Sequence, residues 1–431
     1  MTVKLGLVGT GTVGGGCIEI LKNHKEEFLR HFGIDVEFKR ICSRNPEQAI
    51  EHGVEDIFTQ EYTDIINDPE IDIVIEVIGG TTVAKNVVCE ALQAGKHVVT
   101  ANKALMATHG EEVMNLASEN NREVFFEASV GGGIPIIDPL KHSLISNRID
   151  SVMGIVNGTT NYMLTRMGED GMSYADALKE AQEKGFAEAD PTADVDGYDA
   201  AAKIAILASI AFNSRVTINN VPAEGIRNIS PLDLAAAQDM GYCVKLVAHA
   251  HRCPQGIDVR VHPTMLPLSH QLATVNGVFN AIYVIGDAVG ETMFFGEGAG
   301  SGPAASAIMG DVLECARHIQ VGTSPINVCT CTDELPFLSI DELKTQYYIR
   351  FTVSDQAGVL AAMAGVFAKH DVSVYSVVQR GTKAENGTVE VVYVTHTARE
   401  ANVRAVLSDM QTLEDVLQGE PSLIRVQASK G

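Results

Sequence analysis

Short apolar runs alternate with segments of helical spacing over roughly the first 130 residues of the chain. Few polar positions interrupt the apolar runs, and they predict strands at 2–9, 36–42, 71–78, 96–100 and 123–128. Between them, apolar residues recur every three or four positions, which predicts helices at 17–32, 83–94 and 111–120. Strands and helices that alternate at this pitch predict an α/β fold with a doubly wound parallel sheet of the Rossmann type.

The pattern changes near Gly132, where glycine-rich turns, short strands and alanine-rich helices replace the regular alternation. A strand is predicted at 149–156 and helices at 174–184 and 199–212, which indicates a separate α+β domain. A further helix predicted at 303–321 is expected to return to the first domain. The C-terminal segment has the order strand, helix, strand, strand, helix, strand, predicted at 347–353, 358–370, 373–379, 388–395, 399–413 and 423–426.

The order βαββαβ is that of the ferredoxin-like fold. The segment ahead of it carries Thr, Pro and acidic residues and is interpreted as a linker. We therefore expect a dinucleotide-binding domain, a substrate and dimerisation domain, a linker and a regulatory domain at 1–131, 132–302, 325–346 and 347–431.

The charge balance excludes several classes of protein. The chain has 431 residues, 32 of them basic and 55 acidic, and a formal net charge of −23. This acidity counts against nucleic acids and anionic membranes as partners. No apolar run reaches the roughly 20 residues that span a bilayer, and the first residues lack the layout of a signal peptide. Eight scattered cysteines are too few for a disulfide scaffold, so we expect a reduced, cytoplasmic enzyme.

A glycine-rich turn separates the first predicted strand from the first predicted helix. In such a turn Gly9 permits the tight bend, Gly11 lets the backbone approach a pyrophosphate, and Gly14 lets the helix pack on the strand. The N–H groups at the start of the helix would face the phosphates. A turn without a ligand would have the same residues. The expected cofactor contacts here are Gly9, Thr10, Gly11, Thr12, Val13 and Gly14.

The end of the second predicted strand bears on the choice between NADP and NAD. An NAD site normally has an acidic residue there, whereas this chain has Ser43 and Arg44, and Asp35 precedes the strand. A guanidinium binds a 2′-phosphate through charge-assisted hydrogen bonds. These residues favour NADP, although a surface arginine in water would look the same.

Five acidic residues lie between positions 188 and 199, and Lys203 follows in an otherwise apolar helix. Around Gly197 the run resembles a calcium loop, but that register puts Lys203 where a glutamate ligand is required. Asp199 and Lys203 instead fall one helical turn apart. A buried lysine beside a carboxylate can have a pKa suited to proton transfer. A structural ion pair would have the same spacing.

Two further stretches follow predicted strands. The sequence Thr100-Ala-Asn-Lys103 ends a strand at the sheet edge where doubly wound folds bind ligands. Glu127 precedes a glycine-rich turn whose carbonyl groups, together with the carboxylate, suit a hard monovalent cation. A purely structural loop explains the second stretch equally well.

Together these motifs resemble the homoserine dehydrogenase family. The resemblance rests on the glycine turn, on Thr100-Ala-Asn-Lys103, on Asn157-Gly-Thr-Thr-Asn161-Tyr and on the acidic stretch 185–203, and it covers essentially the whole chain. The C-terminal unit, with Asp355-Gln-Ala-Gly358 at its first strand-to-helix turn, resembles an ACT regulatory domain. No kinase-like segment precedes the glycine turn, so the monofunctional form is expected.

The resemblance implies interconversion of L-homoserine and L-aspartate 4-semialdehyde with NADP or NAD, in threonine, methionine and isoleucine biosynthesis. Lys203 would donate the proton to the forming alkoxide, and Lys103 would lie between nicotinamide and substrate. The substrate would be bound by Glu188, Asp199, Asp194, Asn157, Gly158 and Thr159. Further cofactor contacts would come from Ser43, Arg44, Gly79, Thr81, Thr100, Lys103, Gly185 and Gly302.

The resemblance also implies a cation, an effector and an assembly. Glu127 with the carbonyl groups of Val130, Gly132 and Ile134 resembles the sodium site of the family. L-Threonine is the expected effector at the ACT domain, and a homodimer or homotetramer is the expected assembly.

Two other functional classes are weighed against this one. Aspartate-semialdehyde dehydrogenase would need a nucleophilic cysteine, and the cysteines here lack an evident nucleophile context. A non-catalytic amino-acid sensor would not need the spacing of Glu188, Asp199 and Lys203.

Overall fold

The computed structural model describes residues 1–323, 325–380, 387–413 and 416–427 of the chain. Its strands are β1 Thr2–Val8, β2 Asp35–Cys42, β3 Phe58–Thr59, β4 Ile73–Glu76, β5 His97–Thr100, β6 Val124–Phe125, β7 Ile149–Ile155, β8 Tyr242–Cys253, β9 Gly256–Pro267, β10 Phe279–Gly286, β11 Gly290–Glu297, β12 Lys344–Ser354, β13 Val374–Arg380, β14 Thr388–Thr395, β15 Ala398–Arg399 and β16 Ser422–Val426.

The α-helices are α1 Thr12–Glu27, α2 Glu47–His52, α3 Thr63–Ile66, α4 Val83–Gln93, α5 Lys103–Glu119, α6 Gly158–Asp170, α7 Tyr174–Glu183, α8 Thr192–Val195, α9 Tyr198–Phe212, α10 Pro231–Asp239, α11 Ser301–Val321, α12 Val359–Lys369 and α13 Glu400–Met410. Contacts between residues divide the chain into two compact units. The first unit comprises Met1–Val156, Ala202–Val221 and Phe279–Leu335. The second unit comprises Asn157–Ala201, Pro222–Val278 and Pro336–Gly431.

The first unit is built on a parallel sheet of six strands in the order β3-β2-β1-β4-β5-β6. This order confirms the predicted doubly wound fold, in which the ends of β1 and β4 flank the crevice where ligands bind. Leu5 and Leu7 of β1 are fully buried, as expected for a central strand covered on both faces. Ile308 and Val312 of α11 join Leu21 of α1 in the same core cluster, so α11 packs beside α1. The unit also contains the antiparallel strands β7, β10 and β11.

Several predictions for regular elements are wrong in their extent; for example, the helix predicted at 17–32 begins at Thr12, and the strand predicted at 123–128 covers only Val124–Phe125. The helix predicted at 111–120 begins earlier, at Lys103, because the side chain of Asn102 caps it by accepting from the N–H of Leu105. The region predicted to hold short strands contains β8 and β9, twelve residues each, paired as a long hairpin. Lys245 and His249 are buried within β8, and these polar letters interrupt the apolar run that would have indicated a long strand.

The C-terminal part of the second unit confirms the predicted βαββαβ order, as β12, α12, β13, β14, α13 and β16. Its antiparallel strands lie in the order β16-β12-β14-β13, and β16 pairs in parallel with β9. Arg350 on β12 binds Asp233, with Nε 2.7 Å from Oδ1. Arg425 on β16 binds Glu224 with Nη1 2.7 Å from Oε2, and it also bonds to Glu400. The C-terminal strands are therefore held within the second unit by ion pairs, in which the Asp233, Glu400 and Arg425 side chains are buried.

Candidate active site

The glycine-rich turn of the first unit has the geometry of a phosphate-binding turn. Gly9 has a φ of +110°, a conformation that side chains rarely adopt. A Cβ atom on Gly14 would lie 2.0 Å from the carbonyl oxygen of Gly9, so α1 approaches the turn as closely as glycine allows. At Gly11, which precedes α1, an added Cβ would meet no atom within 4 Å. The turn therefore leaves open space directly in front of the first N–H groups of the helix.

A cavity of about 660 Å³ lies beside this turn and is lined by Thr10, Gly11, Thr12, Gln48 and Ser301, among others. The Ser301 hydroxyl donates to the carbonyl of Thr12 at 2.7 Å, which places the start of α11, including Gly302, next to the turn. Val13 packs against the core below.

Gln48 links the turn to the end of β2. Its Oε1 accepts from the hydroxyls of Thr10 at 2.6 Å and of Ser43 at 2.8 Å. Sequence reasoning missed Gln48, because a glutamine in a short surface helix carries no signal of its own.

The end of β2 presents a charged side chain to solvent. Arg44 is exposed, and its backbone carbonyl accepts from Gln60 Nε2 at 3.1 Å. Asp35 is the first residue of β2, not the residue before it, so that detail of the prediction is wrong. Asp35 still lies at the opposite end of the strand from Arg44, where the hydroxyl of Thr2 donates to it.

The ends of β4 and β5 are joined by a buried carboxylate. Glu76 accepts from the Thr100 hydroxyl at 2.7 Å and from the N–H of Gly79 at 3.1 Å. Asn102 donates to the carbonyl of Gly80 at 2.7 Å. These bonds fix the two loops, with Thr81 following the first and Lys103 opening α5 with an exposed side chain. Sequence reasoning missed Glu76, although an acidic residue inside the apolar run 71–78 could have indicated a functional position.

The loop after β6 is organised around Glu127. Both of its carboxylate oxygens accept backbone N–H groups, from Ile136 at 2.6 Å, Ile137 at 2.8 Å and Asp138 at 2.6 Å. Burial raises the pKa of Glu127, while these amide bonds act in the opposite direction. The carboxylate thus holds together the loop that contains Val130, Gly132 and Ile134.

In the second unit, Asn157 holds two acidic side chains. Its Nδ2 group donates to Asp194 Oδ1 at 2.7 Å and to Asp199 Oδ2 at 2.9 Å. Its Oδ1 atom accepts from the N–H of Thr160 and so caps α6, which begins at Gly158. One amide side chain therefore starts a helix and brings together two carboxylates from a different part of the sequence.

The remaining predicted substrate residues, Gly158, Thr159 and Glu188, also belong to the second unit. Thr159 donates from its hydroxyl to the carbonyl of Phe186 at 2.6 Å, which ties α6 to the loop after α7. Gly185, in that loop, has a φ of +74°, and the Glu188 side chain is exposed. Arg227 binds Asp196 through two hydrogen bonds and holds the end of α8. Sequence reasoning did not single out Arg227.

Helix α9 carries Asp199 and Lys203 one turn apart, and both side chains are only 7% exposed. Lys203 Nζ donates to the carbonyl of Val156 at 2.6 Å. This bond ties the Lys203 side chain to the residue that follows β7.

The turn between β12 and α12 in the ACT-like region encloses a cavity of about 190 Å³. Gly358 has a φ of +96° and precedes α12, and Gln379 and Val391 line the opposite side. Among the described residues, no helix has both the length and the apolar character needed to cross a membrane.

Comparisons with known proteins agree with this architecture. Three family models match: the NAD-binding domain of homoserine dehydrogenase at 9–127, homoserine dehydrogenase at 135–313 and the ACT domain at 347–415. The chain is 43% identical to the homoserine dehydrogenase of Synechocystis sp., covering 99% of this chain and 100% of the relative. It is 40% identical to that of Bacillus subtilis, covering 99% of both.

Solved structures agree as well. A homoserine dehydrogenase from Thiobacillus denitrificans matches with a TM-score of 0.93 at 38% identity, covering 99% of this chain and 98% of that one. A hyperthermophilic archaeal homoserine dehydrogenase in complex with NADPH matches with a TM-score of 0.64 at 27% identity, covering 74% and 98%. The chain, with its NAD(P)-binding domain and its ACT domain, belongs to the homoserine dehydrogenase family of oxidoreductases.

Proposed function

We propose that this chain interconverts L-homoserine and L-aspartate 4-semialdehyde with NADP, on the route to threonine, methionine and isoleucine. The observation that carries the proposal is the placement of Asp199 and Lys203 one turn apart on α9, both buried, with Asn157 fixing Asp199. The similarity to the named dehydrogenases supports the same substrate pair.

Lys203 is the proposed proton donor. When bound, the nicotinamide cofactor supplies or accepts the hydride. Reduction of the aldehyde builds negative charge on its oxygen, and the Lys203 ammonium neutralises that charge by giving up a proton. In the oxidation of homoserine, the neutral amine takes the hydroxyl proton instead. Its bond to the carbonyl of Val156 keeps Nζ directed in both steps.

Carboxylates are proposed to hold the substrate. Glu188 and Asp199 bind the amino and hydroxyl ends, and Asp194, sharing the Asn157 amide with Asp199, supports the second of them. Gly158 and Thr159 are proposed to complete this wall. Lys103, at the start of α5, is proposed as a second cation near the reacting oxygen, between nicotinamide and substrate.

The cofactor is proposed to bind along the carboxyl edge of the parallel sheet. Its pyrophosphate would accept hydrogen bonds from the backbone N–H groups of Gly11, Thr12 and the start of α1, where the turn leaves open space. The exposed guanidinium of Arg44 suits a 2′-phosphate, and Ser43 lies beside it. The proposed contacts at the other loop ends are Gly79, Thr81, Thr100, Gly185 and Gly302.

A sodium ion is proposed in the loop after β6. The ion would be held by Glu127 and by the backbone carbonyl oxygens of Val130, Gly132 and Ile134, since a carboxylate that accepts three amide bonds still has a lone pair to offer. Hard cations prefer oxygen ligands. Activity measured in sodium and in choline chloride at equal ionic strength tests this, and equal rates would contradict it.

Steady-state oxidation of L-homoserine with NADP and NAD side by side tests the main proposal. We expect turnover that requires L-homoserine and is faster at low NADP than at equally low NAD. A folded protein without homoserine-dependent reduction of either cofactor would contradict the proposed activity.

L-Threonine is proposed as the effector at the cavity next to Gly358, with its carboxylate at the start of α12. A truncated chain is a poor test, because it would leave Asp233 and Glu224 without their arginine partners. Gly358→Ala in the full chain is sharper, and we expect weaker inhibition by threonine, roughly fivefold or more.

Gly419→Ala is the matched control for the Gly358 variant. Gly419 has a φ of +108° and likewise has no atom within 4 Å of an added Cβ, so the backbone strain is similar while the cavity is untouched. Equal loss of inhibition in both variants would place the effect in stability, and no inhibition of the parent protein would contradict threonine as effector.

We also propose a homodimer or homotetramer and domain limits at 131, 302, 325 and 347.

A further inference from the structure

The sequence Cys329-Thr-Cys331 places two thiols in a part of the first unit that the proposed dehydrogenase chemistry does not use. Both cysteines are free and partly exposed. The N–H of Thr332 donates to the carbonyl of Thr330 at 2.8 Å, so the chain turns tightly at Cys331. Both side chains line the same cavity.

The two thiols have different surroundings. Arg215 Nη2 lies 3.1 Å from Cys329 Sγ, and a guanidinium at this distance stabilises a thiolate. The S–H of Cys331 donates to the carbonyl of Ser209 at 3.4 Å. The neighbouring Cys331 and the Arg215 guanidinium lower the pKa of Cys329. The neighbouring Cys329 and burial raise the pKa of Cys331.

The other six cysteines are in unreactive environments. Burial raises the pKa of Cys17 to about 12 and that of Cys42 to about 11. Burial also raises the pKa of Cys89, Cys243, Cys253 and Cys315. Because the thiolate is the reactive form, Cys329 is set apart from all of them.

Both cysteines are partly exposed to solvent, and they line a cavity of about 30 Å³, which has room for about one water molecule. Its apolar walls include Met106, Met114 and Ile210, and its cationic side chains are Arg215 and Lys141. Burial lowers the pKa of Lys141 to about 8, so the lysine retains much of its charge at neutral pH. Two nearby cations disfavour a metal ion on the sulfurs, and they attract small anionic reactants.

We propose that Cys329 and Cys331 are a reversible redox pair that exchanges with small anionic disulfides. The Cys329 thiolate attacks one sulfur of the small disulfide, whose S–S bond breaks and releases one thiolate. Cys331 then loses its proton to solvent and attacks Cys329 Sγ, which expels the second thiolate and closes the Cys329–Cys331 disulfide. Two protein thiols are oxidised, and one small disulfide is reduced to two thiols.

Oxidised glutathione is the probe, applied to the reduced full-length chain, followed by alkylation and tryptic digestion. We expect the peptide 318–344, which holds both cysteines, to lose two hydrogen atoms in mass and escape alkylation. Excess reduced glutathione should restore it, because a bond across one intervening residue closes a strained ring. A peptide that stays reduced, or that carries two glutathiones, would overturn the proposal.

Variants separate the two roles. Cys331→Ser should stop at one glutathione on Cys329, whereas Cys329→Ser should not react at Cys331. Cys89→Ser is the matched control and should behave like the parent chain. Addition of glutathione to Cys331 in the Cys329→Ser variant would overturn the assignment of the attacking thiolate.

Competitive alkylation of the unmodified chain with limiting iodoacetamide at neutral pH does not depend on how variants fold. Cys329 should be labelled first, and equal or slower labelling than Cys89 would overturn the proposal. Arg215→Gln should slow the labelling of Cys329 several-fold. Arg148→Gln, which changes an exposed arginine, should leave it unchanged.

Discussion

The glycine turn of the first unit and the acidic cluster of the second reach a defined geometry by different means. The turn is made of six consecutive residues and depends on the backbone. Gly9 adopts a positive φ, and Gly14 lets α1 approach the carbonyl group of Gly9. The acidic cluster is made of side chains, because Asn157 must bind Asp194 and Asp199 from 37 and 42 residues away. A backbone site tolerates changes in its neighbours, whereas a side-chain site depends on each member.

The largest effect is expected at Lys203. Replacing it with Ala removes the proposed proton donor and should lower kcat roughly 10²–10⁴-fold in the oxidation of L-homoserine. Binding of NADP, measured by fluorescence of the reduced cofactor, should change little, since the glycine turn is intact. Lys179→Ala, at an exposed lysine, is the control. Near-normal kcat with a much lower melting temperature would instead make Lys203 a structural residue.

The acidic cluster should be broken by one change at Asn157. Serine at this position can still cap α6, but it lacks the amide that donates to Asp194 and Asp199. Hydrogen bonds to charged groups contribute about 1.5–3 kcal/mol, so kcat/KM for homoserine should fall roughly 10–100-fold.

Asn157→Asp sharpens the same test. It keeps the cap and adds a third carboxylate, so it should be worse than Asn157→Ser at neutral pH. If both variants kept the parent kcat/KM, the amide would be unnecessary for substrate binding.

The difference between the two sites explains how much could be predicted from the sequence. The parallel sheet, the βαββαβ order and the glycine turn follow from periodicity and from residues adjacent in the chain, and they were predicted. Gln48, Glu76 and Arg227 were missed because each acts through a partner that local patterns do not reveal. Likewise, the length of β8 was not predicted, because Lys245 interrupts its apolar pattern, and the bond from Lys245 to the carbonyl of Val275 is not visible in the sequence.

The glycine turn can be probed with two matched substitutions. Gly14→Ala places a Cβ 2.0 Å from a carbonyl oxygen, so it should destabilise the protein by about 1–3 kcal/mol and lower its melting temperature. Gly11→Ala meets no atom within 4 Å, so stability should be unchanged. Its methyl group would instead obstruct the pyrophosphate and raise the KM for NADP. Equal melting temperatures and equal KM values in both variants would contradict the proposed role of the turn.

The smallest effect is expected at Arg44. Replacing it tests whether a side chain lets the cofactor site at the glycine turn distinguish NADP from NAD. The guanidinium is exposed, so water and salt weaken its contact with a 2′-phosphate. Arg44→Ala should therefore raise the KM for NADP only about tenfold, at the low end for a charged hydrogen bond. The KM for NAD should stay the same, because NAD lacks that phosphate. Arg30→Ala, another exposed arginine, controls for net charge. An equal rise for both cofactors would mean that Arg44 shapes the β2 loop and does not read the phosphate.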